Sequence, residues 1–165
     1  MITCRQATPE DLESIWDMDI AEHGGDIRWK QWKDEYISYN QTGKAATFVV
    51  ICDEKPVGQG TLLFSPQCSA IGGRTELADN EKTANINALR IRKEYEGHGH
   101  ISALVRLMEK HAAENGCNRL TIGVEARETR NLAIYLHWGF RELVKAETEE
   151  DTLVLYYAKN LYGQS

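Results

Sequence analysis

The chain reads Arg-Lys-Glu-Tyr-Glu-Gly-His-Gly-His-Ile-Ser from Arg92 to Ser102, and this junction is its most informative stretch. An apolar strand pattern runs from Ala84 to Ile91 before it, and a helix pattern runs from Ile101 to Asn115 after it. The two glycines allow a tight backbone bend, so that several successive N–H groups can face one anion at the positive end of the helix. The junction therefore fits a phosphate-binding turn or a plain turn, in which glycine pairs also occur.

The residues after Gly99 exclude two common nucleotide-binding motifs. A Walker loop requires Lys-Ser or Lys-Thr after its last glycine, whereas His100 and Ile101 follow here. A dinucleotide fingerprint requires a third glycine three residues after the second, and Ser102 is at that position.

Composition limits the class of protein. The chain has 165 residues, of which 42% are apolar and 27% are charged, so we expect a single globular domain over residues 1–165. Its net charge of −6 argues against a broad nucleic-acid-binding surface and favours a cationic partner.

The N-terminus and the cysteines predict a cytoplasmic protein without a membrane partner. The first six residues do not pass from a basic to an apolar segment, and no apolar run approaches the roughly 18 residues of a membrane span. No C-x-x-C pair occurs, so neither a zinc ribbon nor a redox motif is present. The four widely spaced thiols, which fit a reducing compartment, are Cys4, Cys52, Cys68 and Cys117.

The remaining patterns predict a mixed α/β sheet with helices on both faces, in the order β-α-α-β-β-β-α-β-α-β-β. Thr8 and Pro9 are typical of the start of the first helix, and Gly116 is typical of the end of the third. Residues 65–83 form a connection long enough to suggest a functional loop. The second helix carries an aromatic stripe that fits the core better than a ligand pocket, namely Trp29, Trp32, Tyr36 and Tyr39.

Read together with Tyr-Leu-His-Trp-Gly-Phe at residues 135–140, the junction and its helix resemble the GNAT family of acyl-CoA-dependent N-acetyltransferases. The resemblance covers Ala84 to Phe140 by motif and the rest of the chain by the order of elements. It implies the acyl-CoA N-acyltransferase fold, acetyl-CoA as cofactor and acetylation of a primary amine. Because dimers are frequent in that family, it also implies that a homodimer can form.

The resemblance also implies which residues contact coenzyme A. The family's pyrophosphate loop, [Q/R]-x-x-G-x-[G/A], corresponds to Glu96–Ile101, with Gly99 at its centre and departures at both ends. Glu96 would repel a pyrophosphate unless it turns away or pairs with Arg92, Lys93 or Arg106. A strand that splays from its neighbour and pairs with the pantetheine corresponds to residues 89–91. The expected contacts are Leu89, Arg90, Ile91, Glu96, Gly97, His98, Gly99, His100, Ile101, Ser102 and Asn131.

Acetyl transfer needs a neutral amine and a proton for the departing thiolate. By resemblance, Tyr135 donates that proton; the alternative is a tyrosine at the edge of the core. Glu125 is the first candidate for the base, and three alternatives remain. They are Glu76 or Glu81, a water assisted by Asn85 or Asn87, and the free-base fraction of the substrate.

His98-x-His100 lacks a third ligand at a recognisable spacing, so we predict no metal site.

The predicted acceptor is a small cationic amine. By resemblance, acceptors bind between the first two helices and the strands around the long loop. Aromatic and acidic side chains in these segments can hold an ammonium group, namely Trp29, Trp32, Tyr36, Glu76, Asp79 and Glu81. The alternatives are a protein lysine or N-terminal acetyltransferase and a non-catalytic acyl-CoA-binding sensor.

Overall fold

The computed structural model describes residues 1–161, and residues 162–165 of the predicted domain lie outside the described part. The strands are β1 (Ile2–Gln6), β2 (Ala45–Cys52), β3 (Lys55–Leu63), β4 (Thr83–Ile91), β5 (Arg119–Glu125), β6 (Glu142–Glu149) and β7 (Thr152–Asn160). The helices are α1 (Pro9–Glu22), α2 (Arg28–Thr42), α3 (His100–Glu114) and α4 (Thr129–His137). This order confirms the predicted fold class, with a short 3-10 turn, Lys93–Tyr95, between β4 and the glycines.

The seven strands form one sheet in the order β1-β2-β3-β4-β5-β7-β6. Neighbouring strands are antiparallel except for β4 and β5, which are parallel. A parallel pair requires a crossover connection, and here α3 provides it. The crossover carries the chain from the glycine junction at the end of β4 to the start of β5.

Strands β4 and β5 separate at the middle of the sheet. Their pairing extends only from Thr83 to Ile86 on β4. Beyond that point the register against β3 shifts, and Ala88 adopts a φ of +53°. Two residues of β4 then face one residue of β3, which is a β-bulge that bends the strand. The bulge turns the end of β4 away from β5 and opens the sheet.

Helices pack on both faces of the sheet, as predicted. Successive residues of a strand point to opposite faces, and accordingly Leu62 belongs to the core under α3 and Leu63 to the core under α1 and α2. The face under α3 is filled by Leu104, Val105, Met108 and Ala112. Tyr36 is buried in the opposite core and the other aromatics of the α2 stripe pack against it, which confirms the core interpretation of the stripe.

The start of α1 follows the local sequence prediction. Thr8 accepts a hydrogen bond from the Asp11 N–H at 3.1 Å, and the Asp11 carboxylate accepts one from the Thr8 N–H at 2.9 Å. Asp11 also pairs with Arg5 of β1. This reciprocal capping box fixes α1 to the first strand.

Within residues 1–161, no helix combines the length and the apolar character that crossing a membrane requires.

Candidate active site

The glycine junction forms an anion cradle at the start of α3. Gly97 and Gly99 have φ values of +79° and +80°, a region that glycine occupies without strain. The backbone N–H groups of residues 97–102 donate to no backbone carbonyl within the described chain. A Cβ at either glycine would meet nothing within 4 Å, so space is open in front of these donors. Free N–H groups at a helix N-terminus are suited to a pyrophosphate.

A groove of about 670 Å³ runs from this cradle along the end of β4 to α4. All of the residues predicted to contact coenzyme A line it except His98. The groove also has a wall that the sequence prediction missed, formed by Arg130, Ala133, Ile134 and His137 of α4. Their spacing of three and four residues on one helix face was the signal available in the sequence.

The charge at Glu96 is not neutralised in the way the sequence suggested. Glu96 is exposed in the groove and forms no ion pair among residues 1–161. Arg92 instead pairs with Glu94 at 3.4 Å, and Arg106 donates to the Ser102 hydroxyl at 2.9 Å. Arg130 is the cation that the groove itself offers to an anionic ligand, because it lines the groove and has no ion-pair partner within the described residues.

A second cavity, of about 340 Å³, lies where β4 and β5 separate. Leu89 and Tyr135 line both this cavity and the groove, so the two spaces meet at these side chains. The polar residues that line the cavity are Asn85, Asn87, Glu125, Glu128, Tyr135 and Tyr156. The bulge in β4 therefore creates a polar chamber directly beside the groove.

Tyr135 is the side chain best placed to donate a proton between the two spaces. Burial raises the pKa of its hydroxyl, and the negative charge of Glu128 raises it further. The phenol is therefore protonated throughout the neutral range. Its ring packs against that of Trp138, with the centroids 5.6 Å apart.

Of the carboxylates considered as bases, Glu125 lines the chamber, whereas Glu76 and Glu81 do not. The Arg127 guanidinium donates to it at 3.1 Å, and this hydrogen bond lowers the pKa of Glu125. Glu125 is therefore an anion at neutral pH. Glu128 was missed in the sequence, although the Glu-x-x-Glu spacing after β5 was visible there.

The two asparagines of β4 are held in the chamber by other side chains. Asn85 donates to the Thr121 hydroxyl at 2.9 Å, and Asn87 accepts from the Tyr36 hydroxyl. Their carboxamides are fixed rather than free to rotate.

The predicted ammonium site of aromatic and acidic residues is not assembled, because these residues lie outside both spaces and several of them have other partners. The Arg90 guanidinium lies 5.0 Å from the Trp29 ring centroid and pairs with Asp19 at 2.6 Å. Asp79 accepts three backbone N–H groups of its own turn, and Glu76 pairs with a lysine at 3.5 Å. None of the six predicted residues lines the groove or the chamber.

No group of three or more side chains suited to a metal ion occurs among residues 1–161. The rings of His98 and His100 lie 6.0 Å apart.

Comparison with known proteins agrees with this geometry. The profile of the Acetyltransferase (GNAT) family matches residues 10–140. No curated protein sequence matches the chain.

Solved structures share the fold at low sequence identity. An N-acetyltransferase from Staphylococcus aureus Mu50 is 15% identical, with a TM-score of 0.71 over 97% of this chain and 98% of that one. The PaiA N-acetyltransferase of Thermoplasma acidophilum, solved with coenzyme A, is 17% identical, with a TM-score of 0.64 over 97% and 99%. A Salmonella typhimurium enzyme that modifies the N-terminal serine of ribosomal protein L7/L12 is 14% identical, with a TM-score of 0.69 over 97% and 95%.

The family profile covers well over half of the 165 residues, and the splayed sheet, the cradle and the groove fit the acyl donor. The chain therefore belongs to the GNAT family of acetyltransferases, which use acetyl-CoA to acetylate amines.

Proposed function

We propose that this enzyme acetylates the primary amine of a small cationic molecule. The observation that carries the proposal is the chamber between β4 and β5, which holds two carboxylates, Glu125 and Glu128, beside Tyr135. At about 340 Å³ it is near the lower end of the size range of small-molecule pockets. Its two acids would attract an ammonium group in preference to a neutral or anionic acceptor.

Residues of the groove would hold the coenzyme. The N–H groups of residues 97–102 would bind its pyrophosphate, and the backbone of Leu89–Ile91 and the side chain of Asn131 would contact its pantetheine arm. Arg130 would offset the repulsion from Glu96. Bound acetyl-CoA supplies an acetyl thioester to the neighbouring chamber.

Tyr135 and Glu125 would handle the protons. The Tyr135 hydroxyl keeps its proton because burial raises its pKa, so it can protonate a departing thiolate. The pKa of Glu125 is too low for it to deprotonate a free ammonium efficiently. Its carboxylate would instead hold the ammonium by charge, and the fraction of bound substrate that has lost a proton to water would attack the acyl carbon as the neutral amine. Glu125 would then accept the proton that the nitrogen loses after bonding to the acyl carbon, where that nitrogen is far more acidic.

Two measurements test this function. Acetyl-CoA at about 100 times its dissociation constant should add roughly 2.7 kcal/mol of stability, which a thermal-shift titration detects. Release of coenzyme A should then be measured with polyamines, aminoglycosides, amino acids and a peptide with a free N-terminus. Turnover with the peptide alone would contradict the small-amine proposal and support protein acetylation.

The Tyr135→Phe variant separates an enzyme from a sensor. We expect it to lose most of its turnover while its affinity for coenzyme A stays within about twofold of wild type, since the ring remains. A wild-type protein that binds acetyl-CoA but acetylates no acceptor would support a non-catalytic sensor.

We also propose that residues 1–165 act as one catalytic domain in the cytoplasm. All four cysteines are free thiols, which fits a reducing compartment. The homodimer implied by the family resemblance is testable by light scattering on the purified protein.

A further inference from the structure

The long connection between β3 and β4 forms a wall beside the acceptor chamber. It is folded into turns rather than extended, and Cys68, Ile71 and Leu77 are fully buried against the core under α1 and α2. Ala70 of this connection lines the chamber directly. The wall therefore has a fixed shape, and one of its own side chains connects it to strand β6.

That side chain is Arg74. Its guanidinium donates to the backbone carbonyls of Ala70 at 2.8 Å and Ile71 at 2.9 Å within its own connection. The guanidinium also pairs with two carboxylates of the neighbouring strand β6, Glu147 at 3.2 Å and Glu149 at 3.5 Å. A planar group with five donors can hold the loop backbone and the hairpin simultaneously, which a lysine cannot do.

Arg74 also fixes Tyr156, which lines the chamber from β7. The guanidinium lies 5.1 Å from the ring centroid and donates to the hydroxyl at 3.3 Å. The Tyr156 hydroxyl in turn donates to Glu149. The ring also lies close to β5, since a Cβ at Gly123 would stand 2.8 Å from Tyr156 Cε1. Tyr156 is therefore held between Arg74 and Gly123.

We propose that Arg74 is a positioning residue that sets acceptor specificity by holding this wall of the chamber in place. It does not line the chamber itself but holds Ala70 and Tyr156, which do. With this wall held in place, a chamber of about 340 Å³ accommodates an amine on a small carrier and leaves less room for one attached to a peptide. The inference rests on the proposed function, because it names a determinant of that same acceptor site.

The test compares identical amines on small and large carriers. The acceptors are 1,4-diaminobutane and lysine, each free and each linked at one end to tetraglycine. For Arg74→Met we expect the ratio of kcat/KM for the free amine to that for the linked amine to fall at least tenfold, mainly through KM. The affinity for coenzyme A should be unchanged. Arg74→Lys retains the positive charge but loses the planar guanidinium with its five donors, so the ratio should fall by less than in Arg74→Met.

Arg28→Met is the matched control. Arg28 pairs with Glu150 of the same hairpin at 3.8 Å, but both side chains are largely exposed and neither lines the chamber. Exposed pairs contribute little, so this variant should keep the wild-type ratio. If Arg74→Met fails to fold, the role of Arg74 is tested with Tyr156→Phe and Arg74→Lys instead. The measurement is again the ratio of kcat/KM for the free amine to that for the linked amine, which should fall.

A readout independent of turnover accompanies the kinetics. Hydrogen exchange over residues 66–79 and 152–158 should be faster in Arg74→Met than in Arg28→Met. Unchanged exchange or an unchanged acceptor ratio would overturn the role of Arg74, and in that case acetylation of the free amines would leave the proposed function standing. If the wild-type enzyme acetylates the linked amines as well as the free ones, the wall does not select acceptors by size. If it acetylates neither the free nor the linked amines, that result counts against the small-amine function.

Discussion

Replacing Gly99 with alanine tests whether the backbone conformation of the cradle sets coenzyme affinity. Gly99 has a φ of +80°, and an added Cβ would touch nothing within 4 Å. The cost is therefore conformational rather than steric, at roughly 1–2 kcal/mol for a residue with a Cβ in the left-handed region. For a chain of this size we expect the melting temperature to fall by about 2–8 °C.

Coenzyme binding should suffer by the part of this strain energy that the free variant relieves, since only the part that it retains lowers the melting temperature. The free variant can relieve its strain by turning the residue out of the left-handed region, which misaligns the N–H groups at the start of α3. Binding must restore the strained conformation. Since 1.4 kcal/mol corresponds to a factor of ten in affinity, full relief of the roughly 1–2 kcal/mol of strain would raise the dissociation constant of coenzyme A about 5- to 30-fold. Isothermal titration calorimetry measures it directly.

Gly116→Ala is the matched control for this experiment. Gly116 follows the opposite end of α3 with a φ of +90°, and a Cβ there would also meet nothing within 4 Å. It does not line the groove. We expect a similar loss of melting temperature with an unchanged affinity for coenzyme A. Equal affinities in the two alanine variants would refute the argument that the left-handed glycine orients the pyrophosphate donors.

Three further predictions concern charged and titratable groups. Because burial raises the pKa of Tyr135, kcat should not fall on the alkaline side until the pH exceeds about 10; a fall centred well below that pH would contradict its role as proton donor. For Asp11, burial acts to raise the pKa, but the hydrogen bonds from Arg5 and Thr8 outweigh it and lower the pKa. The stability that Asp11 contributes is therefore present above its unfolded pKa of about 3.9 and is lost as the pH falls through the lower folded value. Urea unfolding of wild type and Asp11→Asn should differ at pH 7 and converge near pH 2. Glu96→Gln should tighten coenzyme A binding and Arg130→Met should weaken it, each by about two- to tenfold at low salt and less at 0.5 M salt; equal affinities at low salt would exclude a through-space charge effect.

Local patterns were sufficient for the features that depend on neighbouring residues. The capping box of Thr8 and Asp11, the left-handed end of α3 at Gly116 and the cradle at Gly97 and Gly99 each require particular residue types within a few positions. The order of strands and helices follows in the same way from local periodicity. These features can therefore be predicted from the sequence without knowledge of any tertiary contact.

The chamber between β4 and β5 could not be predicted from the sequence, because it forms where segments distant in sequence meet. The bulge of β4 is at Ala88, which has a φ of +53° without being a glycine, so its residue type gives no signal. Arg90 was expected at the coenzyme, and it does line the groove. Its side chain, however, crosses to Asp19 and covers Trp29, which removes the aromatic site predicted for the substrate.

Local sequence was enough to predict the family fold and the glycine cradle at the start of α3, because glycine conformation and helix capping are local properties of the chain. Tertiary packing sets the size and polarity of the chamber between β4 and β5. Pairing between β4 and β5 stops after Ile86, and Tyr156 from β7 and Ala70 from the long connection then fill the opening. Those contacts join residues up to 86 positions apart in sequence, and their register depends on the whole sheet rather than on any one segment.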